Sequence, residues 1–80
     1  MNFFIKYHVK FDYTHADGSK TKLEDDRWIV MIRDKVISGK DDWTNQIEEW
    51  EEQIAKAFLD EDFTHIDNVY ISINSISKLD

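Results

Sequence analysis

The run Glu48-Glu49-Trp50-Glu51-Glu52, with Asp41 and Asp42 before it and Asp60, Glu61 and Asp62 after, is the densest group of chemically capable side chains in this 80-residue chain. Residues 41–62 hold nine carboxylates and one cation, Lys56. Glu48 stands three and four residues from Glu51 and Glu52, and Glu49 three from Glu52, which makes them neighbours on a helix surface. Like charges so placed cost about 0.2–0.5 kcal/mol each, and only Glu52–Lys56 is arranged favourably. Acids in a last helical turn also oppose the macrodipole, at about 0.3–1 kcal/mol each. A segment set against its own local stability is either a solvated face or a functional one. The functional form is a row of carboxylates that imitates a phosphate backbone or docks into a Lys/Arg groove.

Other chemistry is weakly signalled. His8, His15 and His65 lack His-x-His or His-x3-His spacing, so turn and strand-surface positions outweigh a metal site built on His15 and Asp17. Ser19, Ser38, Ser72, Ser75 and Ser77 lie in no nucleophile motif. Asp25-Asp26 could be an acid/base pair only inside an apolar pocket, which nothing here suggests. Gly18 and Gly39 punctuate turns and build no phosphate-cradling loop. The expectation is a chain without cofactor or metal, and not an enzyme.

Charge is divided unequally. Residues 1–40 hold eight Lys/Arg against six Asp/Glu, and residues 41–80 hold two against eleven, within a net charge of −7. That balance argues against direct binding to nucleic acid, which needs cations to displace counterions, and favours a basic partner. No cysteine means no disulfide and no thiolate metal site. Lys6, His8 and Lys10 interrupt the early apolar run, so no signal peptide is expected, and no apolar run is long enough to span a membrane. A cytoplasmic protein is the expectation.

The elements that would position these groups form a single small domain over residues 1–80. Phe3, Ile5, Tyr7, Val9, Phe11 and Tyr13 alternate with mostly polar residues, which describes a strand with one apolar face. Asp17-Gly18 signals a hairpin, and 20–24 pairs back with Thr21 and Leu23 inward. Residues 27–33 read as strand, continued past a bulge at Asp25-Asp26 or as a third strand; the competing assignment is a helix capped by Asp25 and closed by Gly39. Asp41 or Asp42 caps a clearer helix whose Trp43, Ile47, Trp50, Ile54, Ala57 and Phe58 form an apolar stripe. Asp60 to His65 leaves that helix, and 68–76 alternates again, with Val69, Ile71 and Ile73 inward. The result is an α+β fold of two layers: an antiparallel-dominated sheet of three to four strands, β-β-(β)-α-β, with one amphipathic helix across one face.

Trp28, Trp43 and Trp50 are expected in the core, an exposed Trp being instead the mark of an interface anchor. Lys6, His8, Lys10, Lys20 and Lys22 make a modest basic patch on the outer sheet face, where Phe4 alone is aromatic, so sheet-borne RNA binding is disfavoured. In size, acidity and α+β make-up the chain resembles the small acidic inhibitors of phages and other mobile elements, anti-CRISPR and DNA-mimic proteins among them. The resemblance implies a stoichiometric inhibitor in which Asp41, Asp42, Glu48, Glu49, Glu51, Glu52, Asp60, Glu61 and Asp62 occupy a basic nucleic-acid-binding surface of a partner protein. The alternative is a non-enzymatic assembly module, a homodimer through the outer sheet face or an edge, whose acidic helix only provides solubility.

Overall fold

Alternation of apolar and polar residues runs unbroken through β1, Asn2–Thr14, and β1 becomes the centre of the sheet. The computed structural model describes residues 1–62 and 65–79, with the backbone alone for Asp60, Glu61 and Asp62. Its elements are β1, β2 (Lys20–Ile32), α1 (Gly39–Asp62) and β3 (Ile66–Lys78). The strands form one antiparallel sheet in the order β2-β1-β3, and α1 lies across one face, giving an α+β fold in two layers.

The hairpin forms where Asp17-Gly18 predicts it. Gly18 N–H donates to the His15 carbonyl at 2.9 Å, and Asp17 Oδ1 accepts from both the Ser19 N–H and its hydroxyl. Gly18 has φ +88°, which an L side chain rarely adopts, so glycine is required here. From this turn β2 pairs with β1 in perfect register, Thr14 opposite Lys20 through Asn2 opposite Ile32. Residues 27–32 are therefore strand, but the expected bulge at Asp25-Asp26 does not exist. The irregularities lie on the other side of β1. There Lys6 pairs with Ser75 and Tyr7 with Ile73, which leaves Asn74 as an extra residue. A second bulge between Lys10 and Asp12 accompanies Asn68, held at φ 53°. The Asn74 bulge resets the alternation, so that Ile71, Ile73 and Ile76 all come to face the helix.

The helix begins at Gly39, and Asp42 reaches back to accept the Ser38 N–H at 2.9 Å. It continues to Asp62, beyond the expected end near residue 59. Phe63 and Thr64 in the expected exit segment lie outside the described residues. Its buried line is Gln46, Trp50, Ile54 and Phe58, four residues apart. Trp50 meets Phe3 at 5.4 Å between ring centroids, and Phe58 meets Phe11 at 5.1 Å. Phe3, Ile5, Tyr7 and Val9 from β1 and Ile71 from β3 complete the core, each fully buried apolar side chain contributing about 1.5–3 kcal/mol.

Two members of the expected stripe depart from it. Ala57 is exposed, and Trp43 keeps 36% of its surface, touching Phe3 edge-on at 6.3 Å. The helix backbone runs nearest β3, which turns Gln46 inward, where the Arg33 guanidinium donates to its Oε1 at 2.9 Å. The same placement leaves the inner face of β2 half covered. Thr21 and Leu23 point to the helix side, opposite Tyr13 and Phe11, yet both remain exposed.

Candidate functional site

The helix holds two kinds of acid. Asp42 and Glu51 are used by the fold. Both Asp42 oxygens accept from Arg33 Nη2, at 3.1 and 2.9 Å, alongside the Ser38 N–H. That N–H and, less strongly, the Arg33 guanidinium hold the Asp42 carboxyl below the usual carboxylate range. Glu51 is half-buried, and its Oε2 accepts the backbone N–H of Ile73 at 3.0 Å, beside the Asn74 bulge. These two carboxylates clamp the helix to the rest of the molecule, and both remain partly exposed.

Asp41, Glu48, Glu49 and Glu52 are the second kind. All four are exposed, and among the described residues none forms an ion pair; Glu49 accepts only the Gln53 amide, at 3.2 Å. With 1.5 Å rise per residue, Asp41 to Glu52 is a row about 17 Å long, Glu48 and Glu52 being about 6 Å apart along it. The side chains of Asp60, Glu61 and Asp62 lie outside the described residues. The sheet supplies no counter-charge. Outside α1 the chain is neutral, eight Lys/Arg against eight Asp/Glu, so the helix, with nine acids and two lysines, carries the whole net charge of −7.

The face of the sheet away from the helix is different in kind. Lys6, Lys10, Lys20 and Lys22 share it with Asp12, Glu24, Asp26 and Asp67, so it is electrically balanced. His8 stands at its centre, Nδ1 at 2.8 Å from Asp26 and Nε2 at 3.2 Å from Glu24. The Asp26 contact and then the Glu24 contact raise the His8 pKa, while His8 and Lys10 lower that of Glu24. Lys10 reaches Glu24 at 3.5 Å and Lys20 reaches Asp67 at 3.4 Å, so the expected basic patch is internally compensated.

Trp28 is on this face, not in the core. It is 65% exposed, with its ring 5.4 Å from that of Phe4, and Val30 and Ile32 continue the strip at 42% and 70% exposure. Tyr70 is a further exposed aromatic beside Lys10. The signal for Trp28 was present: with β2 unbroken, counting from the hairpin places it opposite Lys6, on the outer face. The expected bulge at Asp25-Asp26 reverses that count.

The other chemical candidates do not converge. His15 Nε2 contacts the Thr21 hydroxyl at 2.6 Å, and among the described residues no three His, Asp or Glu stand close enough to share a metal ion. Asp25 is paired with Arg27 at 3.0 Å, which lowers its pKa, the opposite of what a general acid needs. A depression of about 310 Å³ at the end of the sheet is lined by Met1, Phe3, Val36, Ile37, Trp43, Ile76 and Lys78, and the Met1 ammonium donates to the Arg33 carbonyl at 2.9 Å. No described helix is long and apolar enough to cross a membrane. Compared with protein-family models, curated proteins and solved structures, the chain matches none.

Proposed function

We propose that this chain is a non-catalytic, protein-binding inhibitor whose acidic helix occupies a Lys/Arg-rich, nucleic-acid-binding surface of a partner and blocks it by occlusion. The observation that carries this is the confinement of the entire net charge to α1, together with the row of Asp41, Glu48, Glu49 and Glu52 presented to solvent with no cation from the sheet. Carboxylates held about one turn apart on a rigid helix meet a groove built for phosphates without ordering either partner first. Complementary charge raises the association rate about 10- to 1,000-fold and makes it salt-sensitive. Asp42 and Glu51 serve this surface indirectly, by holding the helix in place. Such a protein acts in the manner of the anti-CRISPR and DNA-mimic inhibitors, in the cytoplasm where its target works.

The test is capture of host proteins on the immobilised chain with nuclease present, eluted by a salt gradient and identified by mass spectrometry. One basic nucleic-acid-binding protein, displaced by salt and by DNA or RNA, and lost from a D41N/E48Q/E49Q/E52Q variant, is the expected result. Retention of the same protein by that variant refutes the proposal.

A further inference from the structure

The sheet has a helix on one face only, and the exposed face carries a bulky apolar strip. We infer that this outer face is covered by a second copy of the chain, the two sheets packing face to face about a two-fold axis that runs along the strands.

Charge selects a second copy. The helix side of each molecule carries the net −7 and repels another, whereas the outer face balances four lysines with four carboxylates. Packing outer face on outer face places the acidic helices on opposite sides of a four-layer assembly. At about 10 Å between successive layers, the helices are about 30 Å apart, well beyond a screening length of about 8 Å at physiological salt.

Shape selects the axis. On this face the Phe4 end of β2 presents Trp28, Val30 and Ile32, while the same end of β3 presents Ser75 and Ser77, with Ser72 next and the bulky Tyr70 farther along, level with Lys10 and Glu24. A two-fold along the central strand lays β2 of one copy over β3 of the other, so large side chains meet small ones and the layers interdigitate. It also brings Lys22 toward Asp67 of the second copy. Thirteen-residue strands and three-strand width give a face of about 600 Å². The pair therefore buries about 1,200 Å², the lower end of specific interfaces, so the dimer is reversible and concentration-dependent. Lys6 and Lys10, both outward on the central strand, are each brought near their own counterparts and weaken the association.

Sedimentation velocity over a wide concentration range, at low and high salt, tests this directly. The wild type is expected to pass from monomer to dimer and to keep its dimer in high salt. Trp28→Thr and Val30→Thr are expected to raise the dimer Kd by about thirtyfold or more, as anchor truncations do. Both side chains are exposed in the single chain, so an unchanged far-UV spectrum and thermal midpoint at low concentration show that the fold survives. Lys6→Thr is expected to tighten the dimer, and Lys6→Cys, the sole cysteine of that variant, to be joined to its own copy by a short bis-maleimide that spans the gap of about 10 Å between the sheets, a distance too long for a direct disulfide. A wild type that stays monomeric throughout, a dimer that W28T and V30T leave intact, as an edge-to-edge pairing gives, or one dissolved by salt each overturn the inference. E48Q/E49Q/E52Q is expected to leave the dimer unchanged, so failure of this inference is distinguishable from failure of the acidic-helix proposal.

Discussion

Removing one carboxylate from α1 has opposite consequences according to which carboxylate it is. Glu51→Ala deletes the acceptor of the Ile73 N–H, a charged hydrogen bond at 3.0 Å in a half-buried position. Hydrogen bonds to charged groups contribute about 1.5–3 kcal/mol, and partial exposure brings the expected loss down to about 1–2 kcal/mol. In a domain of this size each kcal/mol moves the thermal midpoint by about 4–8 °C, so E51A is expected to melt about 4–16 °C lower. Glu51→Gln retains an acceptor oxygen and should recover most of that loss. The triple variant E48Q/E49Q/E52Q removes three like-charge pairs, worth about 0.2–0.5 kcal/mol each, at the expense of the favourable Glu52–Lys56 pair. It is expected to be slightly more stable than the wild type, by about half a kcal/mol. Urea and thermal unfolding followed by circular dichroism check the whole series. If E51A is no less stable than E48A, the division between carboxylates that hold the helix and carboxylates presented to solvent is wrong.

Ile5, fully buried between Phe3 and Tyr7 on the central strand, should cost about 2–5 kcal/mol when cut to alanine, enough to leave this small domain largely unfolded at 37 °C; a cooperative midpoint within a few degrees of wild type would contradict the core described here. Stability should also peak between about pH 4.5 and 6.5. The raised pKa of His8 gives a contribution that is complete below its ordinary value and is lost as pH rises through the folded one, whereas Glu24, Asp25 and Asp42, with lowered pKa values, contribute above the ordinary carboxylate range and lose it as pH falls through their folded values. Urea midpoints of the wild type and His8→Gln measured against pH separate the two limbs: the decline on the alkaline side should vanish in H8Q, and its persistence there would assign it to another group. Gly18→Ala, which must force a side chain into φ +88°, is expected to lower stability by about 1 kcal/mol without changing the fold, as chemical denaturation will report.

Local patterns settle what neighbouring residues can settle between them. The alternation through β1, the Asp17-Gly18 turn and the recurrence of Trp50, Ile54 and Phe58 each encode an element within a few residues, because strand and helix periods are properties of the backbone itself. Those signals suffice for the element order and for a two-layer α+β fold. They also place Glu48, Glu49, Glu51 and Glu52 on one helix, although they end that helix near residue 59 and the structure carries it on through Asp60, Glu61 and Asp62. Which face a strand residue occupies is less local, since one extra residue anywhere upstream reverses everything after it. A bulge assigned to Asp25-Asp26 sends Trp28 into the core, and its absence puts Trp28 in solvent; the bulge at Asn74 keeps Ile76 inward against its own alternation. Carboxylates in one run look alike in sequence for the same kind of reason. Only the packed molecule brings Ile73 to Glu51 and Arg33 to Asp42, partners 22 and 9 residues away, and leaves Glu48, Glu49 and Glu52 facing water. The sequence by itself determined that this is an acidic, antiparallel α+β protein with an amphipathic helix after residue 40, and left residues 27–33 open between strand and helix. The tertiary structure alone decided which of its acids and which of its tryptophans are left in solvent, because that depends on register and on contacts between segments distant in the chain.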